Sequence, residues 1–284
     1  MRYGVPYKGS KNAIAEWIVE RLPSGERLVD LFAGGCAVTH CAMLSGKWDR
    51  FLVNDLNDVP KLFCDAVQGN LNERQEWISR EDFHRLKDTD PFVRQAWSFG
   101  NDGNSYLYGR DLEAYKKAVH MELTANTLRE RYKWHKIAVR EGMRIIQERG
   151  GKVHEKTMYF QQSTDAFLRC EAIKRNEDIK SIKGTSGSES LERMQKDYRD
   201  VEIADGDVVY CDIPYRGTGA EYVKGFDYKA FYAWCLQQKV PVYISEYAMP
   251  EEMFKCVAER ERVGHLSATD NSRRLTERLF VPRK

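Results

Sequence analysis

The chain has 284 residues, enough to bury a full core as one large domain or as a domain carrying an inserted module. Charged residues make up 31% of it and no apolar run reaches the length of a membrane span, which argues against an integral membrane protein. The formal net charge of +2 is too small to imply a nucleic-acid partner, so only local clustering can carry that argument.

The opening stretch MRYGVPYKGSK is polar and lacks the apolar core of a secretory leader. KNAIAEWIVERLP carries Ile14, Trp17, Ile18 and Leu22 at helical spacing and predicts a helix followed by Pro23. RLVDLFAGG predicts a short strand that breaks into glycines. CAVTHCAMLSG predicts the helix after it, with Gly46 as its stop, and RFLVNDLN a second strand ending in Asn54 and Asp55. This βαβ rhythm predicts an open, mostly parallel α/β sheet. From about Lys61 to Met194 the rhythm yields to long charged helical patterns, and KGTSGSES near the far edge reads as a linker or turn. DGDVVYCDIPY, FDYKAFYAWCLQQK and VPVYISEYAM then restore strand, helix and strand. The expected organisation is one α/β domain split in sequence, 1–66 and 195–284, around a mainly helical insert, 67–194. Seven cysteines without Cys-x-x-Cys pairs suit reduced thiols in a cytoplasm. His84, His120, His135, His154 and His265 have no ligand spacing, so no metal site is expected.

VDLFAGGCAV places Asp30, Phe32, Gly34 and Gly35 where a strand turns into a helix, and glycines there let a ligand approach the backbone. Asp55, twenty residues after Gly35, ends the next strand, a spacing that suits a carboxylate on ribose hydroxyls. A plain tight turn with Asp55 capping the next helix fits the same residues. The loop lacks the full G-x-G-x-x-G pattern, which favours a nucleoside-containing cofactor without a pyrophosphate.

In DVVYCDIPYRGT the apolar run ends in Asp212, expected at the carboxyl end of a strand, where ligands sit in open α/β sheets. A carboxylate there accepts a hydrogen bond from an amine, and the carbonyl of Ile213, held outward by Pro214, accepts a second. Tyr215 offers a flat face for a planar base. The chemistry that needs this set is methyl transfer from a sulfonium to an exocyclic amine. Two acceptors localise the nitrogen lone pair as the transition state develops. Cys211 should point to the opposite face of the strand from its neighbour, so it is not a nucleophile candidate.

These residues resemble the Dam-type (D12-class) N6-adenine DNA methyltransferases, particularly phage and prophage members. PYKGSK is similar to the amino-terminal cofactor motif, with Tyr7 where a tryptophan is usual and Lys11 as its lysine. DLFAGG, with Asp30, Phe32, Ala33, Gly34 and Gly35, resembles the motif around the methionine part of S-adenosylmethionine. VNDLN supplies Asp55, and KDYRDV resembles the motif that reads the cofactor adenine, with Asp197 and Tyr198; STDAF, with Asp165, is a second candidate for it. DIPY stands where the family has Asp-Pro-Pro-Tyr. The resemblance implies a Rossmann-like fold with an inserted target-recognition domain and base flipping in double-stranded DNA. It also implies a monomer or weak dimer in a bacterial cytoplasm. Two departures are Cys36, where a glycine is frequent, and Ile213 for the first proline.

Arg129, Lys133, Lys136, Arg140 and Arg144 recur at helical spacing in the insert and suit a phosphate-binding stripe, though a solvated helix face has the same signature. AWSFGNDGNSYLYGRD reads as a loop, and Arg273 and Arg274 either flank a DNA cleft or lie in a surface hairpin. Two other readings remain. One is methylation of another amine or amide, in RNA adenine or protein glutamine. The other is a catalytically silent DNA-binding relative.

Overall fold

The alternation read in the first sixty residues builds the middle of a seven-stranded sheet in the computed structural model, which describes residues 3–151, 168, 190–216, 225–264 and 273–283. The strands are β1 (Arg27–Asp30), β2 (Arg50–Asn54), β3 (Leu191–Met194), β4 (Asp207–Cys211), β5 (Val242–Glu246), β6 (Phe254–Gly264) and β7 (Arg273–Pro282). Their order is β3-β2-β1-β4-β5-β7-β6. The first five are parallel, and β7 joins β5 and β6 antiparallel. This is the expected Rossmann-like α/β sheet.

Pleat alternation sorts the side chains into two layers. Leu28, Phe51, Val208 and Tyr210 pack with α1 (Ala15–Arg21) and α2 (Ala37–Ser45). Val29, Leu52, Val209, Cys211 and Ile244 face the other way, towards Phe231 and Cys235 of the helix Tyr228–Gln237. The expected orientation of Cys211 is therefore the observed one. Burying each large apolar side chain in such a layer contributes about 1.5–3 kcal/mol, which is why these short apolar strands lie inside. Arg27 donates from Nε and Nη2 to the two oxygens of Asp207, at 2.9 and 2.6 Å, and sets the β1–β4 register at its first residue pair.

The chain order reverses about β1, with β2 on one side and β4 on the other. The loops after β1 and β4 thus leave the sheet in a crevice at its carboxyl edge, where open α/β sheets hold ligands.

The chain divides into two compact units. The first comprises Met1–Val5, Ser10–Cys64 and Ser181–Lys284; the second comprises Pro6–Gly9 and Asp65–Lys180. β3 lies inside the stretch 67–194 read as insert, yet it pairs with β2 as a sheet edge. Its sequence, LERM, is half exposed and polar, as edge strands often are, so no apolar run announced it.

The second unit carries α4 (Arg80–Leu86), α5 (Pro91–Ala96), α6 (Glu113–Thr124) and α7 (Leu128–Glu148); α3 (Val59–Gln68) runs into it from the first. Ser79 and Asp90 cap α4 and α5. At α7, Thr127 Oγ1 accepts from the Glu130 amide and donates to its carboxylate. Trp97, Phe83, Tyr106, Tyr108 and His120 form the buried aromatic centre of this unit. AWSFGNDGNSYLYGRD is mainly loop, pinned by a bridge between Ser98 and Tyr106. A further α-helix, α8, is Tyr228–Gln237. None of the described helices is long and apolar enough to cross a membrane.

Candidate active site

The glycine turn after β1 is held from three directions. Ala33 N donates to Asn54 O at 2.9 Å, Cys36 N to Ala33 O at 2.7 Å, and Gly34 N to Asp55 Oδ2 at 2.9 Å. Gly34 (φ 47°) and Cys36 (φ 57°) are both left-handed. Cys36 therefore stands where backbone geometry favours glycine, and its thiol is buried, which pushes its pKa up and keeps it unreactive. Cys36→Gly should relieve about 1 kcal/mol of backbone strain and forfeit a similar amount of packing. Denaturant unfolding should show a net change within about 1 kcal/mol.

A second wall of the loop comes from the amino terminus, which sequence reasoning passed over. Val5 N donates to Gly35 O at 2.8 Å, and Gly4 N to Nδ1 of the buried His40 on α2 at 2.9 Å. Gly4 has φ 70°, and a Cβ there would lie 2.2 Å from Gly35 O. The signal was a glycine next to an aromatic near the start of the chain, which is weak in isolation.

Asp30 ends β1 beneath this loop and is buried. Its Oδ2 accepts from Thr39 Oγ1 at 2.7 Å. Its Oδ1 makes no hydrogen bond of normal geometry among the described residues, although the Phe32 amide lies near enough to favour the charged form. Burial, aided by the charges of Asp212 and Asp55, raises its pKa to about 7. Asp55 is raised too, by burial. Both its oxygens are engaged: Oδ2 with Gly34, and Oδ1 with the amide and side chain of Asn57 at 3.1 and 2.7 Å. Asp55 thus organises the loop, and Asn57 Oδ1, not Asp55, accepts from Val59 N at the start of α3 at 2.9 Å.

Asn54 brings in KDYRDV. Its Nδ2 donates to Leu31 O and Lys196 O, at 3.2 and 3.0 Å, and its Oδ1 accepts from Lys196 N at 3.0 Å. Asp197 then sits at this edge as the cap of a short 3-10 turn. Arg199 clasps both its carboxylate oxygens, at 2.7 and 2.8 Å, and holds its pKa below the usual range. Tyr198 is a core residue, tilted against Phe32 with ring centroids 5.6 Å apart. Burial pushes its pKa up to about 12. Asp165 lies outside the described residues.

Beyond β4, Asp212 Oδ1 lies 2.9 Å from Lys11 Nζ, which belongs to the turn Lys11–Ala13. The same ammonium stands 4.3 Å from the centre of the Tyr215 ring. Burial raises the pKa of Asp212, and Lys11 opposes that shift. Ile213 is buried in the layer beside Val209 and Cys211, so its side chain packs the core. The Pro214 carbonyl accepts from Tyr228 Oη at 2.8 Å, which fixes the turn. Glu246, at the end of β5, accepts from the Arg216 amide at 2.7 Å and ties down the residue after Tyr215. Tyr215 meets Tyr247 edge to face at 4.5 Å.

The first unit thus brings together Lys11, Asp30, Phe32, Ala33, Gly34, Asp55, Asp212 and Tyr215, with Asp197 and Tyr198 joined through Asn54 and Phe32. Tyr7 falls in the second unit. Arg129, Lys133, Lys136, Arg140 and Arg144 lie on α7. Among the described residues Arg129, Lys133 and Lys136 have no carboxylate partner, whereas Arg140 pairs with Glu141 and Arg144 with Glu141 and Glu148. Arg273 and Arg274 open β7 within a hairpin with β6. No group of residues suited to a metal ion occurs among those described.

The Asp30 carboxylate beneath a left-handed glycine loop, one oxygen of which makes no hydrogen bond of normal geometry among the described residues, suits a ligand that carries an ammonium group. The methionine part of S-adenosylmethionine has one. Residues 7–233 match the family described as D12 class N6 adenine-specific DNA methyltransferase. The Retron Ec67 DNA adenine methylase of Escherichia coli is 27% identical over 218 residues, covering 76% of this chain and 64% of that protein. The chain thus spans less than two thirds of this curated relative.

Proposed function

We propose that this chain, which belongs to the D12 class N6 adenine-specific DNA methyltransferase family, transfers a methyl group from S-adenosylmethionine to N6 of adenine in duplex DNA. Membership bears out the resemblance read from DLFAGG and DIPY. The observation that carries the chemistry is the meeting of Asp212, Lys11 and Tyr215 beside the glycine loop.

S-adenosylmethionine, when bound, supplies a methyl group already activated on a sulfonium. Asp30 would hold its ammonium, the turn through Gly34 and Gly35 would cover its methionine part, and Asp55 and Asp197 would face its ribose and adenine. Asp212 accepts one amino hydrogen of the target base and the Ile213 carbonyl the other, which stabilises positive charge as it grows on the nitrogen. Tyr215 stacks on the ring. Lys11 meets both the Asp212 oxygen and the Tyr215 face, so an incoming amine would compete with it for the carboxylate. With the Asp212 side chain only 20% exposed, an adenine reaches it after leaving the base stack.

The test is incubation of protein, labelled cofactor and unmethylated duplex DNA, followed by digestion and a search for N6-methyladenine. No label above an Asp212→Ala control rejects the reading, and label on RNA alone would replace it with RNA methylation.

Cofactor binding should depend on pH through Asp30. Its folded pKa of about 7 lies above the unfolded value, so this group costs stability increasingly as pH rises from about 4 to 7. An ammonium ligand needs the carboxylate, so affinity should fall up to about tenfold per pH unit below 7. Above about pH 8 the ligand's own amino group loses its proton, and affinity should decline again. Calorimetric titrations should show that maximum, and Asp30→Asn should flatten its acid side.

α7 is proposed to meet phosphates through Arg129, Lys133 and Lys136, with Arg140 as a weaker contributor because Glu141 neutralises it. Replacing Lys133 and Lys136 together by alanine should weaken DNA binding and reduce the slope of log affinity against log salt by about 2. An unchanged slope in a filter-binding series would place the stripe in solvent.

A further inference from the structure

The last strand carries an acid on a face that should be apolar. Glu277 on β7 shares a side with Leu279 by pleat alternation, and both are fully buried. Burying a carboxylate costs several kcal/mol unless it is hydrogen-bonded, so an acid here needs a task. Its Oε2 accepts from Tyr215 Oη at 2.7 Å, the length of a charge-assisted bond. Glu277 lies 62 residues further along the chain than Tyr215 and beyond the stretch matched to the family.

We infer that Glu277 is a positioning residue that fixes where the Tyr215 ring lies by anchoring its hydroxyl; this rests on the methyltransferase reading above. The hydroxyl bond holds the tip of the ring, Tyr247 abuts it at 4.5 Å, and Lys11 lies over one face, beside Asp212, where a base would have to displace it. Tyr215 stays a phenol able to donate, because burial and the Asp212 charge drive its pKa far up. A stacked adenine inherits the tilt of this ring. The placement of the ring therefore decides where the amino group falls relative to Asp212, and a misplacement near 1 Å costs on the order of 100-fold in rate.

Four variants test this: Tyr215→Phe, Glu277→Leu, Glu277→Gln and the Tyr215→Phe/Glu277→Leu double. Single-turnover and steady-state methylation of unmethylated duplex DNA give the rates, and calorimetry gives cofactor affinity. Tyr215→Phe and Glu277→Leu should each lower kcat by about 10- to 100-fold while KM for DNA and cofactor Kd stay within about twofold. Glu277→Gln keeps an acceptor and should recover most of the rate, and the double variant should be no slower than Tyr215→Phe. Multiplying losses in the double variant, or Glu277→Gln as slow as Glu277→Leu, would overturn the inference. Tyr215→Phe decides the matter even if Glu277→Leu does not fold, because full kcat there overturns it too. No label with the wild-type protein rejects the methyltransferase reading and this inference with it. Label with wild type but no loss in Tyr215→Phe rejects this inference alone.

Discussion

Asp212→Ala should lower the rate of methyl transfer by about 10³-fold and leave S-adenosylmethionine affinity within about twofold of wild type. The variant removes the acceptor proposed for the amino hydrogen as the nitrogen becomes tetrahedral. The carbonyl of Ile213 alone cannot localise the lone pair to the same extent. One side effect has to be separated from the chemistry: Lys11, itself about nine-tenths buried, loses its carboxylate at 2.9 Å. An ammonium left in that position destabilises the fold, because its desolvation is no longer offset. The control is Lys11→Met combined with Asp212→Ala, which removes both charges and should restore stability but not rate. Single-turnover label incorporation measures the first quantity and isothermal titration the second. A large loss of cofactor affinity in Asp212→Ala would move this acid from the base site to the cofactor site.

Gly4→Ala should be severely damaging. The added carbon meets a backbone oxygen, Gly35 O, at 2.2 Å, and the residue is left-handed at φ 70°. Neither problem can be relieved by rotating a side chain. The segment must lift off the loop, breaking the bonds from Val5 N to Gly35 O and from Gly4 N to His40 Nδ1. A cost of about 2–4 kcal/mol follows from strain and lost hydrogen bonds together. Because these bonds brace the turn proposed to hold the cofactor, its affinity should fall by at least about tenfold, the equivalent of 1.4 kcal/mol. Thermal unfolding and calorimetry read the two effects. Wild-type affinity in a destabilised Gly4→Ala protein would show that the amino-terminal segment supports the fold and not the pocket.

Both predictions depend on residues whose roles were unequally visible. Asp212 announces itself, since an acid after VVYC and before a proline is improbable in a core strand without a purpose. Gly34, Gly35 and Asp55 are visible for similar reasons of spacing. The expected task of Asp55 is narrower in the structure, where Gly34 and Asn57 already engage both oxygens. Gly4, His40, Asn54 and Glu277 were not visible. Each acts by touching a segment distant in sequence, and local patterns contain no information about which distant segment that is. Glu277 left one trace, an acid alternating with leucines in RRLTERLF, that pleat arithmetic could have flagged.

The amino-acid sequence by itself determined the parallel sheet, the helices after the glycine turn and after DIPY, and the acid at the end of β4. Apolar periodicity and turn chemistry are local, and burial follows directly from them. Only the tertiary structure decided that Lys11 bridges Asp212 and Tyr215, that the amino terminus braces the glycine turn, and that the final strand reaches back to the Tyr215 hydroxyl. Those contacts join residues up to 201 positions apart, from Lys11 to Asp212 at one extreme, and they arise from strand order rather than from any neighbourhood in the chain. The seven-stranded order places β1, β4 and β7 within reach of one crevice, and that arrangement turns separate motifs into one site.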